Sequence, residues 1–310
     1  MPLKEAVINL RSSPSEITVF APAKINVILR ILDRRPDGFH NLWSVMQTVA
    51  LDDEVQIRLC TDRQDIRLRC DAAQLAVDQS NLVYRAAAGV LARAQQSIGL
   101  DIELRKRIPM GAGLGGGSSD AAATIIGLNR LLQLEWSPTQ MADAGQSLGS
   151  DVPFFLFAPS ACVAGRGETV RSVVVEGSRW VVLVNPGFGV NTKWAYQELA
   201  ATRTIVTPLS PAQRELDRQS RMSWDQLIAA AENDFEAPVF AAHGKLREIK
   251  QNLQAHGAEV ALLSGSGATV FGVFADEVRA RLAQAHFVSE KSMKAFVVPT
   301  CSGPLGWRHE

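Results

Sequence analysis

Residues 109–120 read PMGAGLGGGSSD, five glycines and two serines packed into twelve positions. Upstream, DIELRKRI (101–108) alternates through Ile102, Leu104 and Ile108, the period of a half-buried strand. Downstream, Ala121, Ile125, Leu128 and Leu132 recur at helical spacing. The glycines therefore turn a strand into a helix. Without side chains, a phosphate chain can approach the backbone, the N–H groups can point at it, and the helix dipole favours its charge. Ser118 and Ser119 fall where N-cap hydroxyls belong, within reach of phosphate or magnesium. A serine-capped turn with no ligand is the plain alternative.

Other loop types fail on inspection. Gly111, Gly113 and Gly116 satisfy G-x-G-x-x-G literally, but a dinucleotide unit returns to a parallel strand soon after its helix. Here Leu134-Glu135-Trp136 leads into Ser137-Pro138-Thr139-Gln140, a capping box with proline at the first helical position. Gly244-Lys245 precedes leucine, so no Walker A loop exists. H-R-D, D-F-G, G-x-S-x-G and H-E-x-x-H are all missing. A third kind of phosphate loop survives.

The rest of the chain suits a soluble enzyme of two domains. Its 310 residues are 46% hydrophobic and 21% charged, which argues against disorder. Lys plus Arg and Asp plus Glu are both 32, which weighs against a broad nucleic-acid or anionic-membrane surface. Cys60, Cys70, Cys162 and Cys301 are scattered, fitting a reducing cytoplasm rather than a zinc or disulfide framework. The charged N-terminus lacks an apolar signal core, and VPFFLFAPSACVAG (152–165) is too short to span a bilayer.

The first half reads as strands over 17–21, 24–32 and 54–60, then a helix capped by Asn81 and running to Gly99. In the second half, strands are expected at 169–175, 180–184, 259–263, 269–274 and 294–299. Helices are expected after Ser223, over 244–257 and over 276–286, and residues 201–221 read as an exposed connection. From WVVLV (180–184) onward the order is β-α-β-β-α-β, the split arrangement of a ferredoxin-like domain with inserted helices. The expected division is 1–168, with 1–15 as an extension, and 169–310.

Four other places could carry chemistry. In AKINVILRIL, Lys24 and Asn26 share one face of a strand while Ala23, Ile25, Val27, Leu29 and Ile31 share the other. A strand lysine is commonly just solvated. Asp151 stands among apolar or small neighbours in LGSDVPFFLF, where a simple turn would also explain it. If the two converge beside the glycine loop, Asp151 can take the proton from an attacking hydroxyl while Lys24 steadies the developing charge. DRRPDGFHNL (33–42) makes a hairpin carrying Phe39 and His40, and SGSGA (264–268) joins two apolar strands as a tight turn or a phosphate cap.

PAKIN (22–26), PMGAGLGGGSSDAA (109–122) and LSGSGATVFG (263–272) are similar, in order and spacing, to the three motifs of the GHMP small-molecule kinases. RRPDGFHNL and LGSDVPFF resemble the branch that phosphorylates a cytidyl diphosphate alcohol. The resemblance implies an α+β fold of two domains. The first has a left-handed βαβ crossover, the second is ferredoxin-like, and the site lies between them. It implies ATP with magnesium, and transfer to the 2-hydroxyl of a cytidyl diphosphate of methylerythritol, in non-mevalonate isoprenoid precursor synthesis.

Pro109, Met110, Gly111, Ala112, Gly113, Leu114, Gly115, Gly116, Gly117, Ser118 and Ser119 would form the ATP loop, with Lys24 and Asp151 as the catalytic pair. Asn26 and His40 would hold the acceptor, His40 reading the cytosine edge. Phe39, where the family usually has tyrosine, and Tyr196, four residues after Thr192, would clamp the cytosine. Gly265 and Gly267 would approach the transferring phosphate or the methylerythritol; which serine would meet magnesium is left open, and no carboxylate ligand is apparent. The expected state is a monomer or weak homodimer without nucleic-acid or membrane partners. A GHMP kinase for a simpler alcohol such as homoserine or mevalonate, a noncatalytic nucleotide-binding regulator and a nicotinamide oxidoreductase are the alternatives. DGFH weighs against the first, Lys24 with Asp151 against the second, and the weak G-x-G-x-x-G match against the third.

Overall fold

The computed structural model describes residues 15–35, 39–203, 208–288 and 292–302. The expected extension, apart from Ser15, and the Asp37-Gly38 turn lie outside these. The first half contains β1 (Glu16–Arg34), β2 (His40–Cys60), β3 (Ile66–Cys70), α1 (Leu82–Arg93), β4 (Gly99–Arg105), α2 (Gly116–Leu131), α3 (Pro138–Gly145), α4 (Val152–Phe157), β5 (Ser160–Gly165) and β6 (Thr169–Ser172). The second contains β7 (Val174–Glu176), β8 (Trp180–Asn185), α5 (Thr192–Thr202), α6 (Pro211–Arg218), β9 (Arg221–Ser223), α7 (Trp224–Ala229) and β10 (Glu232–Asn233). It continues with α8 (Glu236–Ala242), α9 (Gly244–Ala255), β11 (Val260–Leu263), β12 (Val270–Phe274), α10 (Glu277–Val288) and β13 (Lys294–Pro299).

The larger sheet runs β10-β1-β2-β4-β3, with β5 beside the first part of β2 and β6 beside β5. β3 and β4 are parallel, joined through α1. The smaller sheet runs β11-β12-β8-β13 and is antiparallel throughout. With helices between β8 and β11 and between β12 and β13, this is the ferredoxin-like order. The expected division at 168/169 falls inside the β5–β6 hairpin, and β10 joins the larger sheet from far along the chain.

One long strand replaces the two expected over 17–32. Pro22 is tolerated within β1 because the register jumps there, from Pro22 opposite Asp52 to Ala23 opposite Val49. Ile17, Val19 and Ala21 pack into a core shared with α1, α2 and α4, whereas Ala23, Ile25 and Val27 enter a second core with Trp224, Leu227 and Phe271. Odd positions thus change face across the irregularity, and the even positions Lys24 and Asn26 are turned toward the glycine loop. Leu29 and Ile31 fill a third core, behind the smaller sheet.

Other expected boundaries move, and the strand expected over 54–60 is the last part of β2, which begins at His40. The first helix ends at Arg93, not Gly99, because Gln95 is left-handed (φ 52°) and the Gln96 N–H donates to the Leu91 carbonyl, a Schellman closure without glycine. The segment 169–175 divides into β6 and β7, which pair with different neighbours. Residues 201–221 are not simply a connection, since they contain α6. Ser210 accepts from the Gln213 N–H, the Gln213 side chain accepts from the Ser210 N–H, and Leu216 is buried.

Candidate active site

The glycine loop lies between β4 and α2, as its flanking periodicities require. Gly111, Gly113 and Gly115 have φ of 61°, 77° and 72°, so every second residue is left-handed, a conformation that L side chains resist. Gly115 is the N-cap of α2. The two serines therefore lie inside the first turn rather than at the cap, because the left-handed glycine starts the helix earlier. The Ser119 hydroxyl is buried with no hydrogen-bond partner. A cleft of about 460 Å³ opens along the loop, walled also by Leu75, Asn81, Leu82, Lys106 and Asp120.

Lys24 reaches this loop from β1. Its backbone N–H donates to Leu114 O (2.9 Å), and its Nζ donates to Gly113 O (2.9 Å) and Asn26 Oδ1 (2.6 Å). Asn26 in turn donates to the Ser44 hydroxyl at 2.9 Å. The remaining approach to the ammonium comes from Asp151, whose Oδ2 is 3.7 Å away. Asp151 occupies the N-cap of α4 but makes no side-chain cap, so its carboxylate is left for the site. Burial lowers the Lys24 pKa, opposed in part by the Asp151 charge.

The SGSGA loop between β11 and β12 covers the glycine loop. Ser264 donates to Gly113 O at 2.9 Å, and the Thr269 N–H donates to Ala112 O at 3.1 Å. A Cβ on Gly113 would come within 2.0 Å of Ser264 O, and one on Gly265 within 3.3 Å of Lys24 Nζ. Gly265 and Gly267 are both left-handed. Thr192, at the start of α5, has its hydroxyl 2.9 Å from that of Ser266.

The aromatic residues are arranged differently from a simple two-ring clamp. Tyr196 stacks on His40, with centroids 5.1 Å apart, and meets Phe235 edge-on. Phe39 is 53% exposed, with the Arg166 guanidinium 3.9 Å from its ring centroid, in cation–π contact. Arg166 belongs to the turn between β5 and β6, and sequence reading overlooked it. Burial, and then the nearby Asp151 charge, pushes the Tyr196 phenol up to about 12.

A second charged group was also missed. Lys106 forms short contacts with Asp53 and, at 2.6 Å, with Asp120. Asp53 accepts from the Arg107 and Ile108 N–H groups, so the cluster ties both ends of the glycine loop together. Burial, with the Asp53 charge adding to it and Lys106 opposing, pushes Asp120 up to about 7. A signal for Lys106 was present, since period two aligns it with Ile102, Leu104 and Ile108. Among the described residues, no group of three or more His, Cys, Asp or Glu could hold a metal ion by itself.

Comparison with known proteins identifies the family. Residues 81–158 match the GHMP kinases N terminal domain and residues 212–291 match GHMP kinases C terminal. A 4-diphosphocytidyl-2-C-methyl-D-erythritol kinase from Geobacter sp. (strain M21) is 40% identical over 92% of this chain and 99% of its own length. One from Syntrophotalea carbinolica is 42% identical over 90% of this chain and 96% of its own. A crystal structure of 4-(cytidine 5'-diphospho)-2C-methyl-D-erythritol kinase superposes with a TM-score of 0.76 at 30% identity, covering 93% of this chain and 100% of that one. The chain belongs to the GHMP kinases and, within them, to the family of 4-diphosphocytidyl-2-C-methyl-D-erythritol kinases. It is an ATP-dependent small-molecule kinase. No described helix is long and apolar enough to cross a membrane.

Proposed function

We propose that this enzyme transfers the γ-phosphoryl group of ATP to the 2-hydroxyl of 4-diphosphocytidyl-2-C-methyl-D-erythritol, in non-mevalonate isoprenoid precursor synthesis. The observation that carries this reading is the Lys24–Asp151 pair, 3.7 Å apart and hydrogen-bonded through Lys24 to Gly113 of the glycine loop. Asp151 accepts the hydroxyl proton as the new oxygen–phosphorus bond forms and ADP leaves with the old bridging oxygen. Lys24 balances the charge on Asp151 and the transferring group. The loop amides, rigid in their left-handed turns, hold the phosphates in place without reorganising.

Acceptor recognition falls to the opposite wall. Phe39 and Tyr196 offer ring faces to the cytosine, His40 a ring nitrogen to its edge, and Asn26, Thr192, Gly265 and Gly267 bound the methylerythritol end. Phenylalanine at position 39 keeps the stacking surface and gives up any hydroxyl contact. Magnesium commonly takes only one or two protein ligands and draws the rest from phosphates and water. The Ser119 hydroxyl, buried without a partner at the start of α2, fits as one such oxygen. When bound, the ion neutralises phosphate charge. The reading puts the enzyme in the cytoplasm, where its four unpaired thiols stay reduced.

The test is ADP release with ATP, magnesium and the cytidyl acceptor, run beside homoserine, mevalonate and a blank without acceptor. Turnover with the cytidyl acceptor alone is expected. Turnover only with another alcohol would overturn the acceptor assignment while keeping the kinase.

A further inference from the structure

Two parts of the site come from different sheets: Lys24 and Asn26 from β1, the SGSGA loop from the β11–β12 turn. One two-residue strand connects them. β10 lies parallel to β1, pairing Glu232 with Ile28 and Asn233 with Leu29, and the Asp234 N–H donates to Leu29 O at 3.0 Å. From that position the Asn233 side chain reaches the SGSGA loop. Its Nδ2 donates to Leu263 O at 2.7 Å and to Gly265 O at 2.8 Å, while its Oδ1 accepts from the Phe235 N–H at 2.9 Å.

Asn233 is only 4% exposed, and both ends of its amide are satisfied. The bonding also fixes the amide's orientation, because only the NH2 end can serve two carbonyl oxygens. Gly265, one of the two carbonyls held, is the residue whose missing Cβ leaves room for Lys24 Nζ. A shift of the loop along β1 would therefore move it against Lys24 and Gly113 together. Glu236, just beyond β10, accepts from the Leu263 N–H at 2.9 Å and anchors the same turn from its other side.

We infer that Asn233 is a positioning residue for phosphoryl transfer, fastening the SGSGA loop to the strand that carries Lys24 so that the two halves of the site keep their register. Both hydrogens of its amide are used on backbone carbonyls, so it acts through the loop. The inference rests on the reading that transfer takes place beside Lys24. Its chemical requirement is a donor at Nδ2: Asn233→Asp keeps the shape but turns a carboxylate oxygen toward two carbonyl oxygens.

Steady-state kinetics and melting of Asn233→Asp and Asn233→Ala, beside Asp234→Asn, test it. Asp234 belongs to the same connection but accepts from Arg30, Ile31 and Arg203, away from the loop. Both Asn233 variants should lose about 10- to 100-fold in kcat at temperatures where they are folded, the scale of a displacement near 1 Å. Their acceptor KM should rise by less than kcat falls, because the displaced loop bounds the methylerythritol end as well as facing Lys24. Asp234→Asn should lower the melting temperature and leave kcat unchanged. Wild-type kcat in folded Asn233→Asp, or a kcat loss matched by Asp234→Asn at equal destabilisation, would overturn the inference. Should neither Asn233 variant fold, Asn233→Ser, whose hydroxyl can serve only one of the two carbonyls, takes their place. Lower kcat in folded Asn233→Ser supports the inference, and wild-type kcat overturns it. Wild-type enzyme that turns over only a different alcohol refutes the acceptor assignment alone, and the Asn233 comparison is then made with that alcohol.

Discussion

The imidazole of His40 lies on the ring of Tyr196, with planes inclined by 23°. This contact joins the first residue of β2 to α5 on the side proposed for the acceptor, and Phe235 meets Tyr196 edge-on. Ring stacking on a nucleobase contributes about 1–3 kcal/mol by alanine substitution. Tyr196→Ala and Phe39→Ala should each raise the acceptor KM by about 5- to 150-fold and leave that for ATP nearly unchanged. An equal rise for both substrates would mean that the rings do not stack on the cytosine.

Asp151→Asn removes the carboxylate proposed as proton acceptor while keeping its volume. Turnover should fall by about 10²- to 10⁴-fold. Calorimetric titration should show ATP affinity within a fewfold of wild type, since Asp151 lies beyond the glycine loop. Near-normal turnover would exclude Asp151 as the base.

Burial holds the Lys24 ammonium below the ordinary lysine value of 10.5, even against the opposing pull of Asp151. Its proton is therefore lost earlier as pH rises, and with it the charge proposed to steady the transferring group. The alkaline limb of the pH–kcat profile should accordingly fall below pH 10.5. Lys24→Arg, which stays charged, should lose that limb whatever its residual rate. A limb that persists in the arginine variant belongs to another group.

Gly111 and Gly113 differ only in what surrounds them. Both are left-handed, but a Cβ on Gly111 meets nothing within 4 Å, whereas one on Gly113 meets Ser264 O at 2.0 Å. Gly111→Ala should cost about 1–2 kcal/mol from backbone strain alone. Gly113→Ala should lose more stability and also kcat, because the SGSGA loop must retreat from Lys24. Urea titration and kinetics of the pair separate strain from displacement.

Lys106→Met leaves Asp53 and Asp120 facing each other without a cation. Breaking a buried pair in this way costs about 3–5 kcal/mol. Urea unfolding should show that loss. Asp120→Asn, which removes one carboxylate charge and keeps a polar group for Lys106, should be milder. Equal stability of Lys106→Met and wild type would show that the cluster does not hold the loop's ends.

Legibility followed the range of the interactions. The caps at Asn81, Ser137 and Ser223 were readable because a cap is completed within three residues. Ser210-Pro211-Ala212-Gln213 has the same form as Ser137-Pro138-Thr139-Gln140 and was obscured by its polar surroundings, since α6 buries only Gln213 and Leu216. β10 could not be read, because two residues have no period. Arg166 lies in a charged turn whose meaning depends on Phe39, more than a hundred positions earlier.

By itself the sequence determined the elements whose physics is local. Gly111, Gly113 and Gly115 alone tolerate the alternating left-handed turns before α2, and the order of strands and helices from Trp180 onward specified the ferredoxin-like half. Tertiary structure decided what those elements meet. Lys24 is 89 positions from Gly113, and Gly113 is 151 from Ser264. No propensity connects residues so far apart. Their meeting depends on the register irregularity at Pro22–Ala23, which turns Lys24 toward the loop, and on the packing of two sheets across a shared core.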